Sequence, residues 1–229
     1  MKKLLQIVNS LVIIGLIIVA VIFYNNTKKP SYQYLRNITT YIVVENHETK
    51  MSWTGSGVIV KITEDYTYIL TNKHVAPLTE KGNVFVKDFF GNKRSAEVLK
   101  NSIRDDEDMS LIRITGTLYG KMAVKGVKTD ARISDRVFMA GNHGAKYNIY
   151  REGVISGYSA FNYIMQLPVK GGDSGTGVVD KNGDLVGLVF ALELDFGYMM
   201  GFPIVAVPNH TMSITMTGKS ISEFLKDEI

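Results

Sequence analysis

The apolar positions of this 229-residue chain follow two different rhythms. From Leu4 to Tyr24 they run for 21 residues, with Gln6, Asn9 and Ser10 as the main polar interruptions. That is close to the roughly 20 residues a helix needs to cross a bilayer. Asn25 to Gln33, which contains Pro30, reads as a polar linker. From Tyr34 to Ile229 short apolar runs alternate with turn-forming residues, the pattern of an all-β domain. Thr67 to Leu70 and Met109 to Ile114 are two such strands, and Asn182-Gly183 between Val178-Val179 and Leu185-Val186 predicts a hairpin with a type I′ turn. Gly91-Asn92 after Phe89-Phe90, and Glu64-Asp65 ahead of Thr67, are weaker hairpin signals. At the end of the chain Ser220 and Glu223 have capping-box spacing, and Ile221, Phe224 and Leu225 share one face, which predicts a short C-terminal helix.

The N-terminal segment ends in Val21-Ile22-Phe23-Tyr24 and lacks the small-x-small pattern of a cleaved leader. It reads as an uncleaved anchor over residues 1–24, with a secretory signal as the competing reading. Lys2 and Lys3 on one side nearly balance Lys28, Lys29 and Arg36 on the other, so flanking charge does not set its direction. A hydrophobic content of 45% suits one globular unit plus an appendage. The net charge of +4 is spread among acidic residues and gathers into no stripe, which argues against a nucleic-acid interface. There is no cysteine, which excludes disulfides, thiol chemistry and thiolate-held zinc.

Candidate chemistry enters with Gly171-Gly172-Asp173-Ser174-Gly175-Thr176-Gly177. Glycines let a loop turn sharply and aim free N–H groups at one point while exposing a hydroxyl. On its own the string is also what a conformational turn would use. It gains meaning from His74, which follows the strand ending at Leu70, and from Asp108, which opens the next apolar run. A serine hydroxyl needs a base within reach, and the imidazole of His74 suits that task. A carboxylate on the other ring nitrogen fixes the tautomer, the role assigned to Asp108 over its neighbours Asp105, Asp106 and Glu107. The N–H groups of Gly172 and Ser174 are the expected oxyanion donors. His47 and His210 read as solvated turn and loop residues, and His143, flanked by a glycine-rich turn, as structural.

With this order and these contexts the chain resembles the trypsin-like serine proteases, and within them the bacterial HtrA-like branch. Gly55-Ser56-Gly57-Val58-Ile59-Val60, Gly141-Asn142-His143-Gly144, Gly187-Leu188-Val189 and Gly201-Phe202-Pro203-Ile204 carry the likeness through most of the domain. The resemblance implies two successive six-stranded antiparallel barrels, with His74 and Asp108 on the first, Ser174 on the second and the site between them. It implies that Phe190-Ala191-Leu192 forms the edge that pairs with an extended substrate, and that Val169 and Val189 wall the primary pocket. No acidic residue stands at the pocket base, where Pro168 and Val169 lie, so an apolar residue is expected before the scissile bond. Asp173 departs from the asparagine usual in HtrA-like enzymes; it is expected to bond local backbone groups or a basic side chain. The sequence ends four residues after Leu225, so no peptide-binding PDZ domain is expected after the helix.

The sequence thus predicts a membrane-anchored serine endopeptidase acting on proteins or peptides, with no metal and no organic cofactor. By resemblance to anchored stress proteases, its N-terminus is cytoplasmic and its domain extracytoplasmic, of bacterial or phage type. Trimerisation through Tyr32 and Tyr34 is weighed against local packing of those two tyrosines. The alternatives from other classes are a catalytically latent or silent protease-like domain that binds extended peptides and, more remotely, a serine esterase, whose nucleophile elbow and chain order are absent.

Overall fold

The computed structural model describes all residues except 1, 79–81, 88–90, 105, 144–145, 160–161, 200–201, 227 and 229, and also leaves out the side chains of 2–5, 8, 26 and 191–211. Helix α1 (Lys2–Thr27) and the short helix α2 (Tyr32–Ile38) precede twelve strands. Strands β1 (Thr39–Asn46), β2 (Ser52–Ile62), β3 (Tyr66–Thr71), β4 (Gly82–Lys87), β5 (Lys93–Asn101) and β6 (Ser110–Thr115) close one barrel in the order β1-β2-β3-β6-β5-β4. Strands β7 (Arg136–His143), β8 (Lys146–Ser159), β9 (Asn162–Gln166), β10 (Gly177–Val179), β11 (Leu185–Met199) and β12 (Phe202–Thr217) close a second in the order β10-β11-β12-β9-β8-β7. Helix α3 (Gly218–Leu225) follows. The expected pair of six-stranded barrels with a short C-terminal helix is present.

Successive strand residues face opposite ways, and here both faces are apolar. In β2, β3 and β6, Ile59, Ile69 and Ile112 fill the first barrel, while their neighbours Val58, Leu70 and Leu111 turn outward into a second apolar cluster. The second barrel repeats the device: Met139, Val178 and Val186 point inward, while Phe138, Val179 and Leu185 join that same outer cluster. The shared cluster is the seam between the barrels. Leu35 and Ile38 of α2 and Ile221, Phe224 and Leu225 of α3 pack into it.

Two local expectations are corrected. The Asn182-Gly183 turn is not type I′, because only Gly183 has positive φ (+90°). The Gly183 N–H bonds to the Asp180 carbonyl at 3.1 Å, and the Asp180 carboxylate accepts the Asn182 and Asp184 N–H groups at 2.7 and 3.1 Å. This is a type I turn followed by a left-handed glycine, which the Asp180 side chain favours by satisfying the turn's N–H groups. The cap of α3 is Thr217 and not Ser220: its hydroxyl accepts the Ser220 N–H at 3.2 Å, because β12 delivers Thr217 in extended conformation at the helix start.

The segment read as a linker, 25–33, holds the last turn of α1 and the start of α2, with 28–31 between them. Ser31 caps α2 by accepting the Tyr34 N–H at 3.1 Å. The Tyr34 hydroxyl donates to the Gly183 carbonyl at 2.6 Å, so this tyrosine packs within its own chain. Among the described residues no helix is long and apolar enough to cross a membrane.

Lys121, on the connection between the barrels, closes the far end of α2 by donating to the Arg36 carbonyl at 2.8 Å and to that of Thr39. Burial, with the Arg36 cation adding to it, pushes its ammonium down to about 8 from 10.5. Below pH 8 the lysine is charged in folded and unfolded chain alike, and the fold carries the whole cost of burying it. Between about 8 and 10.5 the unfolded chain holds the extra proton, so stability rises with pH. We expect urea titrations to show that rise in the wild type and its loss in Lys121→Met.

Candidate active site

The turn after β3 fixes His74 by burying the two residues next in the chain. The Val75 and Ala76 N–H groups bond back to the Asn72 carbonyl at 3.1 and 3.0 Å, Val75 and Ala76 are buried, and the Trp53 indole N–H donates to the Val75 carbonyl at 2.9 Å. His74 itself stays half exposed, at 50%. Asp108, just ahead of β6, accepts the His74 backbone N–H on Oδ1 at 2.9 Å and faces Nδ1 through Oδ2 at 2.5 Å. Buried Asn72 ties the two segments together by donating to the Asp108 carbonyl at 2.7 Å.

The rest of the acidic run has other partners. Asp106 pairs with Arg104 at 2.6 Å, and that guanidinium holds its carboxyl below the usual range. Glu107 lies 3.9 Å from Arg104, with burial pushing its carboxyl up. Asp105 lies outside the described residues.

The loop that carries Ser174 is pinned to the first barrel. The Ser174 carbonyl accepts the Ser56 N–H at 2.7 Å, and the Gly172 carbonyl accepts the Ser56 hydroxyl at 2.9 Å. Gly175 has φ +85°, and a Cβ there would lie 2.0 Å from the Ser56 carbonyl oxygen, so only glycine fits. Its N–H bonds the Val189 carbonyl at 2.8 Å, fastening the loop to β11. Gly55 packs between Val75, the neighbour of His74, and the Ser174 carbonyl, at 2.6 and 3.2 Å from where its Cβ would sit. The histidine and serine segments therefore flank one glycine.

Among the described residues the N–H groups of Gly172 and Ser174 donate to nothing, and the Ser174 hydroxyl makes no hydrogen bond. The Ser174 N–H is not spent on the Gly171 carbonyl, the three-residue bond that would close the loop on itself. The preceding bend is instead fastened by the Asp173 N–H on the Lys170 carbonyl at 3.0 Å. Chemically this is a hydroxyl, an oriented imidazole and two unspent backbone donors, the set that acyl transfer requires.

Residues 55–188 match the family model of the trypsin-like peptidase domain. The chain belongs to that family. It is 29% identical over 195 residues to the serine protease HtrA-like of Staphylococcus epidermidis, a match covering 76% of this chain and 32% of the relative. It is 29% identical over 171 residues to the periplasmic serine endoprotease DegP of Escherichia coli K12, covering 70% and 35%. The chain thus spans about a third of the length of these relatives. The solved Rv3671c protease of Mycobacterium tuberculosis, in its active form, superposes with a TM-score of 0.64 at 17% identity, over 84% of this chain and 81% of that one, a likeness of fold.

Three residues of this trypsin-like peptidase domain that sequence reasoning did not single out hold the nucleophile loop. Ser56 is fully buried, and its hydroxyl accepts from both Asn142 nitrogens at 3.2 and 3.1 Å while donating to Gly172. Asn142 also donates to the Thr40 carbonyl at 2.9 Å, joining the barrels through polar groups. Both stand in glycine-flanked motifs, a signal that was legible.

Arg151 on β8 is the third, and no sequence signal marks it. Its guanidinium bonds the Asp173 carboxylate at 2.9 Å, with side chains 12% and 1% exposed. Asp173 also accepts the Lys170 N–H at 2.8 Å, so it takes both a backbone group and a basic side chain, as expected. His143 completes the group, its Nδ1 at 3.2 Å from Arg151 and 3.8 Å from Asp173. Arginine has no acceptor, so Nδ1 takes that bond.

Of the expected substrate residues, Val169 and Val189 do not wall a pocket: each is 2% exposed, because its side chain packs into the core of the second barrel. Phe190 is half-buried against the seam. Ala191 and Leu192 lie on β11 with their side chains outside the described set. Beyond Val189, β11 pairs with β12 on one side only, leaving the other edge of 190–192 unpaired among the described strands.

Removing one partner of a buried ion pair typically costs about 3–5 kcal/mol, because the other charge is left uncompensated. We expect Arg151→Gln to lower the unfolding free energy in urea by about that much, and Asp173→Asn added to it to recover most of the loss.

Proposed function

We propose that the chain is a working serine endopeptidase held at a membrane by α1. The observation that carries the catalytic reading is the doubly bonded His74–Asp108 pair beside a loop whose Gly172 and Ser174 N–H groups are unspent. In this reading His74 takes the proton from Ser174 as its hydroxyl attacks the scissile carbonyl. Asp108 orients the imidazole and stabilises its cation, and the two N–H groups receive the oxyanion. His74 then returns the proton to the leaving amine, and water hydrolyses the acyl-enzyme. One copy of the domain supplies every group.

The open edge at 190–192 offers an extended substrate backbone its pairing, and the exposed, uncharged Pro168 at the expected pocket base favours an apolar residue before the scissile bond. The anchor reading rests on the 26-residue length of α1 and on its outward side chains. Leu11, Leu16, Val19 and Phe23 are 63–69% exposed, a surface suited to lipid. The domain then stands outside the cytoplasm, with the N-terminus inside.

A silent peptide-binding domain is the second reading, favoured by the unbonded Ser174 hydroxyl. Catalytic hydrogen bonds are often loose without substrate, which weakens that point. We expect the full chain in detergent to be labelled by a fluorophosphonate, and Ser174→Ala and His74→Ala to abolish labelling. Asp108→Asn should lower turnover about 10⁴-fold. Cleavage only after Lys or Arg in a peptide library would contradict the pocket assignment, and an unlabelled, folded wild type would establish the second reading.

A further inference from the structure

The end of α1 is docked on the second barrel. The Lys181 ammonium donates to the Asn25 carbonyl at 3.0 Å, and Lys28 donates to the Asn182 side chain at 3.4 Å. Lys29 lies 3.9 Å from Glu152 and over the Tyr150 ring on β8. Four residues, 28–31, then lead into α2, where Tyr34 bonds Gly183 of the same hairpin and Leu35 and Ile38 are fully buried. Lys125 locks the group from the other side, donating to the Asn182 carbonyl at 2.6 Å with its ammonium 5.6 Å above the Tyr34 ring.

Each exposed polar contact here is worth little alone. The buried Leu35 and Ile38 fix α2, and the short connection leaves α1 no slack. If Leu4 to Tyr24 spans the bilayer, Asn25 lies at its surface, and so does the hairpin tip at Lys181-Asn182. Ser174 precedes Lys181 by seven residues, which at full extension reach about 25 Å.

We infer that this docking holds the active site at a fixed stand-off of at most about 25 Å from the bilayer, and that its substrates are extended segments of membrane-tethered polypeptides presented at that height. The inference rests on the reading of α1 as an anchor and of Ser174 as the nucleophile. A loose tether would let the domain sample many heights; a docked one selects.

The test uses the full chain in phospholipid vesicles that carry a fluorophosphonate joined to a lipid headgroup by polyethylene glycol spacers of graded length, with soluble fluorophosphonate as reference. Labelling relative to the soluble probe should peak at an extended spacer reach of about 25–35 Å and fall at least threefold by about 100 Å. A ten-residue Gly-Ser insertion between Lys29 and Pro30 adds roughly 17–19 Å of root-mean-square reach and should move the peak outward, with soluble-probe labelling unchanged. Lys181→Ala should broaden the peak. A wild-type profile independent of spacer length, with the chain retained in vesicles and labelled by the soluble probe, would overturn the stand-off and leave the proposed function standing. Loss of retention or of soluble labelling would overturn the proposed function and the stand-off with it.

Discussion

The apolar seam between the barrels is the constraint on which the site depends. The His74 imidazole and the Asp108 carboxylate belong to the first barrel and the Ser174 loop to the second, so the site has no fixed geometry until the barrels meet in one register. Val58, Leu70 and Leu111 on one side and Phe138, Val179 and Leu188 on the other are all fully buried there. At about 1.5–3 kcal/mol per side chain, they outweigh the roughly 1 kcal/mol net of any single hydrogen bond across the same boundary. Hydrophobic burial brings the barrels together; directional polar contacts then set the last ångström.

Those polar contacts converge on the nucleophile loop. Ser56 reaches it from the first barrel, Asn142 joins Ser56 to the second, and Arg151 neutralises the carboxylate between the two candidate oxyanion donors. A permanently charged guanidinium offers Asp173 a partner within the fold. The same economy shows at the other end of the domain, where α2 spends Tyr34 on the β10–β11 hairpin and its apolar face on the seam.

Much of this was legible in the sequence because it is written in short-range patterns. Short apolar runs divided by turn residues announced the strands, and the glycine-rich string around Ser174 announced a sharp loop that exposes a hydroxyl. His74 and Asp108 stood at the two strand junctions that β3–β6 pairing brings together, Thr71 opposite Ser110. What was not legible depends on partners distant in the chain or on a choice between close alternatives. Arg151 is one cation among many until β8 pairs with β7 and turns it toward Asp173. The Asn182-Gly183 turn took a different form because Asp180, outside the dipeptide, supplied the acceptor. Thr217 displaced Ser220 as the helix cap because the helix starts three residues earlier than the capping-box spacing implied. The double-sided apolar strands could be seen, but which residue of each pair joins the seam required the closed barrels.

The most direct test of this account is a crystal structure of the full chain with a peptidyl boronate. The account predicts boron bonded to Ser174 Oγ and one boronate oxygen about 2.7–3.1 Å from the Gly172 and Ser174 nitrogens, with Asp173 still paired to Arg151. A boronate seated without the Ser174 bond, or a loop that abandons Arg151 to accept it, would contradict the claim that the seam and its polar contacts hold the site ready.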